Sequence, residues 1–218
     1  MPSQLILASA SPRRRQLLAC LGLDFGCERA DIDETPWPGE NPIAHARRLA
    51  LTKADVVVAR QPQAIVLAAD TVVVLEGQIL GKPVDADEAR QMLRALRSRP
   101  HEVISAVAVV ASGRTDSAEH SSRVWMRDYT DAEIEAYIAT GDPLDKAGAY
   151  AIQHPNFRPV ARFEGCFASI MGLPLGLVAD LLTLHDLLPN PTWPAACHAI
   201  TGQCCHLPSP QPPSLPTF

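Results

Sequence analysis

Apolar positions along the chain fall into short unbroken runs that alternate with helical stripes. QLILAS (4–9) has the pattern of a buried strand. Leu17, Leu18 and Leu21 then recur at helical spacing. Ser11 is placed to cap that helix, Pro12 suits its first turn and Gly22 ends it. Residues 24–40 are acidic and rich in turn formers, which predicts a strand followed by a loop. A second helix opens at Asn41-Pro42 and runs to residue 59. AIVLAADTVVVLEG (64–77) is β-branched and predicts a buried strand; Gly77 turns the chain and QILGKP returns. Asp85 and Glu88 have capping-box spacing before a helix reaching Arg97, and Thr130 and Glu133 repeat it before one ending near Gly141. EVISAVAVVASG (102–113) and the stretch to Met126 predict a hairpin. DKAGAYAIQ (145–153) predicts a strand beside a loop, 159–164 a further strand, and LPLGLVADLLTLHDLL (173–188) one final helix. Strands and helices alternate, with hairpins inserted, so the expected class is α/β: a mixed sheet with flanking helices.

The pattern stops at residue 189. Residues 189–218 hold eight of the twenty prolines and no Asp, Glu, Lys or Arg. This predicts one folded unit over 1–188 and a disordered Pro-rich tail over 189–218.

Charge changes the picture at one place. The net charge is −5 over 218 residues, so no broad basic surface for nucleic acid is expected. Yet Arg13, Arg14 and Arg15 fall in the first turn of the first helix, the positive end of its dipole. A cation there costs ~0.3–1 kcal/mol. Either the run is a solvated face that tolerates this, or an anion binds: free N–H groups, dipole and guanidinium forks together suit phosphate.

Composition excludes more than it assigns. No apolar run of membrane-spanning length is present, and the N-terminal stretch lacks the basic start of a signal peptide. With six irregularly spaced cysteines, a reduced cytoplasmic chain is expected. Cys197, His198, Cys204, Cys205 and His206 do not have zinc-site spacing. G-x-x-x-x-G-K-[ST], G-x-S-x-G and H-E-x-x-H are absent, which removes P-loop, serine-hydrolase and zincin readings.

Several residues could carry chemistry. Asp70 interrupts the apolar run IVLAADTVVV, where a carboxylate must be paired, protonated or metal-bound unless the strand simply ends there. Lys82 lies in a G-K-P turn and Lys53 on the second helix near two arginines; each alone also reads as a solvated lysine. Asp33 and Glu34 sit in the acidic loop, and with Asp70 they could hold Mg²⁺ beside substrate phosphates. Together these make a set of cations for phosphates, carboxylates for a metal and a base for water.

The stretches LILASASPRRRQLL, DIDET, RRLALTKA, AADTVVVLEGQILGKPVD, RPHEVISAVAV, YIATGDPLDKAGAYAIQ and EGCFASIMGLPL resemble the Maf family of nucleoside triphosphate pyrophosphatases, the septum formation inhibitor proteins. The resemblance spans residues 4–188. It implies an elongated, two-lobed fold similar to inosine triphosphate pyrophosphatases, and metal-dependent hydrolysis of a nucleoside triphosphate to monophosphate and pyrophosphate. It implies Mg²⁺ or Mn²⁺ as cofactor, house-cleaning of nucleotide pools, a link to cell-division arrest and a homodimer. Carried over by motif, Asp70 is the proton acceptor, with Lys53 and Lys82 beside it. Ser11, Arg13, Arg14, Thr71 and Gln153 bind substrate, and Asp33 or Glu34 joins Asp70 on the metal side. D-K-A-G-A-Y-x-I-Q resembles the branch acting on dTTP and UTP, although His154-Pro155 and Cys166-Phe167-Ala168 depart from its usual sequence. Two other readings stay open: a nucleotide-sensing regulator without turnover, and a nucleotidyltransferase.

Overall fold

The structure is a computed structural model that describes residues 4–111 and 113–206. At its centre is β3 (Ile65–Leu75), which runs through Asp70 without a break. β1 (Leu5–Leu7) lies parallel between β2 (Phe25–Cys27) and β3. The other side of β3 pairs antiparallel with β5 (Pro100–Ala111), followed in the sheet by β6 (Arg114–Met126) and β7 (Val160–Glu164). The short β4 (Gln78–Leu80) turns back onto β3. This is the mixed sheet expected of the chain.

The pairings leave an opening. β5 occupies one edge of β3 from Val66 to Val74. The opposite edge is taken by β1 at Ile65–Leu67 and by β4 at Val73–Leu75. Between them, on that edge, residues 68–72 have no strand beside them among the described residues. A strand shows alternate residues to opposite faces, so an opening at its edge is reached from both.

The two faces pack differently. On one lies α2 (Pro42–Arg60), whose Ala46, Ala50, Ala54 and Val57 form an i, i+4 stripe against Val66, Ala68, Val72 and Val74. Small residues in that stripe let the helix lie close to the sheet. The other face carries two separate cores. Ile65, Leu67 and Ala69 pack with α1 (Pro12–Ala19) and α6 (Leu175–Thr183); Val73 and Leu75 pack with α3 (Ala86–Leu96) and α4 (Asp131–Ile138). Thr71, with Ser105 opposite it on β5, stands between them.

Capping follows sequence closely. Ser11 Oγ accepts from Arg14 N, and Thr130 with Glu133 forms a capping box on α4. Three expectations need correction. Residues 145–153 are not a strand: two 3-10 turns occupy 142–145 and 147–149. The Lys146 ammonium is drawn onto the Asp142 carbonyl and the Asp142 and Asp145 carboxylates, and Gly148 and Ala149 both take positive φ. Neither φ fits an extended run. The final helix is also shorter than 173–188. α5 (Phe167–Met171) ends at Gly172 with φ 115°, and α6 begins after Pro174. Residues 189–206 are not structureless: α7 (Trp193–Thr201) buries Cys197, and Asn190 N donates to Leu21 O at 2.8 Å. The rest of that stretch, 207–218, lies outside the described residues. No helix among the described residues is long and apolar enough to cross a membrane.

Candidate active site

A cleft of about 720 Å³ opens where β3 has one free edge, a size suited to a small organic ligand. From one face it is entered by Asp70 and Lys53, from the other by Thr71 and Arg14.

Asp70 is buried, in register with Ala106 of β5. Lys53, on α2 one position from the alanine stripe, donates from Nζ to Asp70 Oδ1 at 2.7 Å. The same ammonium lies 2.6 Å from Glu34 Oε1, and Lys82 Nζ donates to Glu34 Oε2 at 3.0 Å. Asp70, Lys53, Glu34 and Lys82 thus form one chain of alternating charges from the buried strand to the rim. Burial opposes ionisation of Glu34, but the two ammonium groups outweigh it and hold the carboxyl at about 2.

Glu34 belongs to a long loop without regular structure, held from behind. Glu40 accepts from Arg48 Nε at 2.6 Å and Nη2 at 2.7 Å, and pairs with His45 Nδ1 at 2.8 Å. Arg48 also donates to Thr35 O at 3.3 Å and lies 4.0 Å from the centre of the Trp37 ring. Those bonds from Arg48 keep the Glu40 carboxyl far below its usual range. The sequence left Asp33 and Glu34 as equal candidates, and the structure separates them. Both are exposed and line the cleft, but only Glu34 meets Lys53 and Lys82, whereas Asp33 Oδ1 accepts from Thr35 N at 2.9 Å. The expected trio Asp33, Glu34 and Asp70 therefore does not converge. Among the described residues no group of three or more His, Cys, Asp or Glu is arranged to hold a metal ion.

The other face is built on hydroxyl groups. Arg14 Nε donates to Gly172 O at 2.9 Å, and Nη2 donates to Thr71 Oγ1 at 3.3 Å. Thr71 Oγ1 lies 2.7 Å from Ser105 Oγ, which itself donates to Ser169 O at 2.7 Å. Ser105 has one proton and spends it on Ser169, so Thr71 must be the donor to Ser105. The hydroxyl of Thr71 is then an acceptor only on its cleft side. Sequence reading missed Ser105, although a serine in the apolar run VISAVAVV was the signal for it.

The remaining expected residues take these places. Ser11 and Arg13 line the cleft at the start of α1, and Gln153 lines it while exposed to solvent. Arg15 is exposed. His154 does not line the cleft: its Nδ1 accepts from Phe157 N at 2.9 Å and its ring meets Tyr137 edge-on at 4.7 Å. The His154-Pro155 departure therefore makes a turn packed away from the ligand space.

Comparison with known proteins agrees with these motifs. A family profile described as "Maf-like protein" matches residues 4–185. The dTTP/UTP pyrophosphatase of Thermomicrobium roseum is 53% identical over 180 residues, covering 82% of this chain and 82% of that protein. The dTTP/UTP pyrophosphatase of Myxococcus xanthus is 49% identical over 178 residues, covering 82% and 90%. That of Pelotomaculum thermopropionicum is 45% identical over 181 residues, covering 82% and 95%. The solved structure of the Staphylococcus aureus Ham1 protein is similar at a TM-score of 0.41 and 13% identity, over 58% of this chain and 73% of that one. So slight a likeness bears on nothing further.

Proposed function

The chain belongs to the Maf family, and from that premise we propose that it hydrolyses a nucleoside triphosphate to the monophosphate and pyrophosphate, with dTTP and UTP as first candidates. The observation that carries this reading is the charge chain Asp70–Lys53–Glu34–Lys82 at one mouth of a nucleotide-sized cleft.

In this reading water attacks the α-phosphorus in line with the bond to the β-phosphate oxygen. That bond breaks and pyrophosphate leaves. Asp70 is the acceptor for the proton of the attacking water, since it is the carboxylate set deepest in the cleft. Lys53, Lys82 and Arg13 balance charge on the phosphates as it shifts toward the leaving group. Lys53 also pairs with Asp70 at 2.7 Å and so fixes the position of its carboxylate. Arg14 has a different role. Its bonds to Gly172 and Thr71 support a role on the base side, where it orients Thr71.

The donor set fits a hard divalent cation with two carboxylates. Magnesium takes one or two carboxylates and completes its shell with water and substrate phosphate, so Asp70 and Glu34 would suffice without Asp33. When bound, such an ion would offset phosphate charge and acidify water. A cytoplasmic setting and Mg²⁺ or Mn²⁺ as the ion belong to the same proposal.

The test is a product assay on the purified chain with dTTP, UTP, CTP, GTP and ATP, with and without Mg²⁺ or Mn²⁺. Monophosphate and pyrophosphate in equal amounts are expected from dTTP and UTP. Nucleotide binding without either product would overturn the hydrolase reading. Transfer of the nucleotide to an added acceptor, in place of hydrolysis, would put a nucleotidyltransferase in its stead.

A further inference from the structure

All three lysines of the chain line the cleft, and the proposed reaction uses only Lys53 and Lys82. The third, Lys146, is buried. Its ammonium donates to Asp142 O at 2.6 Å, Asp142 Oδ1 at 2.8 Å and Asp145 Oδ1 at 2.5 Å. An ammonium has three protons, so all are committed and none is left for a phosphate oxygen. The other carboxylate oxygen of Asp142 accepts from the Tyr137 hydroxyl at 2.6 Å, and the Tyr137 oxygen accepts from Ala151 N at 3.1 Å. Lys146, Asp142 and Tyr137 thus tie the turn over 142–149 to α4 on one side and to residue 151 on the other.

The turn so held has two attachments in the cleft. At its middle, Gly148 N donates at 3.0 Å to Gly81 O, the carbonyl just before Lys82. Gly148 also rests on β3, where any Cβ would lie 2.9 Å from Val73 Cγ1. Past its end, Ala151 and Gln153 line the cleft wall, and the Ala151 amide is the one bonded to Tyr137. We propose that Lys146 is a positioning residue which, through this turn, sets Lys82 for the triphosphate and Gln153 for the base together. The inference rests on the nucleotide reading of the cleft given above. Without the ammonium, the Asp142 and Asp145 carboxylates lose the charge that draws them together, the turn opens, and both attachments loosen. Asp70 and Lys53 are held by each other and by Glu34, so the proton-accepting end keeps its geometry.

Tyr137 separates the two attachments. Its ring stacks on Phe157 with centres 4.4 Å apart, so Tyr137→Phe keeps the packing and removes only the hydroxyl. That change frees residue 151 and the Gln153 rim, while Gly148 stays on Gly81. Lys146→Met releases both.

The experiment measures binding of two probes to the full chain by calorimetry. One is the α,β-imido analogue of dUTP, which cannot be cleaved at that bond; the other is inorganic triphosphate, which has no base. Lys146→Met is expected to weaken both by about tenfold, the effect of misplacing one hydrogen bond to a charged group. Tyr137→Phe is expected to weaken the dUTP analogue by about threefold and to leave inorganic triphosphate unchanged. In Tyr137→Phe the KM for dTTP and UTP should rise with kcat unchanged, the sign of lost binding with the reacting groups in place. Amide hydrogen exchange in the ligand-free chain should quicken at Gly148 and Ala151 in Lys146→Met, and at Ala151 alone in Tyr137→Phe. Parent affinity for both probes in Lys146→Met would overturn the proposal. If that variant does not fold, Tyr137→Phe decides: equal losses for the two probes, or none for either, overturn it. Tight binding of the analogue without hydrolysis of dTTP or UTP by the parent chain would count against the hydrolase reading alone. A parent chain that binds neither probe would overturn both.

Discussion

Lys53 and Asp70 form an ion pair at 2.7 Å, each less than a tenth exposed, where α2 crosses the stretch of β3 that is open on one edge. Each charge makes the other tolerable in that position. Removing one partner from a buried pair costs far more than replacing both, because it strands the remaining charge.

A double-mutant cycle should show this. Lys53→Met alone is expected to destabilise the ligand-free protein by about 3–5 kcal/mol, the usual cost of breaking a buried pair. Lys53→Met with Asp70→Asn should recover part of the loss while remaining inactive. Urea unfolding of the four proteins measures the coupling. Additive losses would mean that the pair is solvated and independent.

Asp70→Asn alone should lower kcat by roughly 10²–10⁴-fold, the usual range for a general base, with KM changed little. Steady-state kinetics on dTTP and UTP decide the matter. Turnover near that of the parent protein would remove Asp70 from the reaction.

Thr71 tests the base side. Thr71→Val keeps shape but removes the acceptor for Arg14 and the donor to Ser105. The ratio of kcat/KM between nucleotides is expected to move by about tenfold, the size of one hydrogen bond to a charged group. Thr71→Ser should keep the parent ratio. A uniform loss across all bases with Thr71→Val would instead make Thr71 a scaffold for Arg14 alone.

His101 sets an acid limit on stability. Its Nε2 lies 2.7 Å from the Tyr150 hydroxyl, and burial lowers its pKa from 6.5 to about 4. A buried histidine held neutral binds its proton later than the unfolded chain does. Its contribution is therefore complete above about 6.5 and is lost as pH falls from there to about 4. The loss amounts to ~3 kcal/mol. Melting temperature measured across that range should fall, and fall less in His101→Gln. Equal slopes in the two proteins would place the acid sensitivity elsewhere.

These residues differ in how plainly sequence shows them. Asp70 and Ser105 each interrupt an apolar strand, so periodicity alone marks them. Asp70 stands out more sharply than Ser105, because a hydroxyl disturbs the pattern less than a charge. The choice between Asp33 and Glu34 was not legible, since it depends on Glu40, Arg48 and His45 holding the loop from a distant helix. Nor was the turn at 145–149. Small residues there satisfy a strand pattern, and only the contact of Gly148 with Val73 explains them. α7 was hidden by composition: prolines surround it, but its first turn accepts Pro194, and Trp193 and Cys197 supply an apolar face.

The opening at the edge of β3 has a consequence for how this protein can change. Asp70 and Thr71 are adjacent in the chain, so their Cα atoms are about 3.8 Å apart, yet they serve opposite faces of the sheet. One peptide unit joins the proposed proton acceptor to the group proposed to meet the base. A backbone shift that tilts Thr71 toward a new base must also tilt Asp70 away from Lys53. New substrate preferences should therefore arise by exchanging side chains at the rim, such as Gln153, more readily than by moving this strand. The strand is a hinge pin common to both tasks, and it is free to drift for neither.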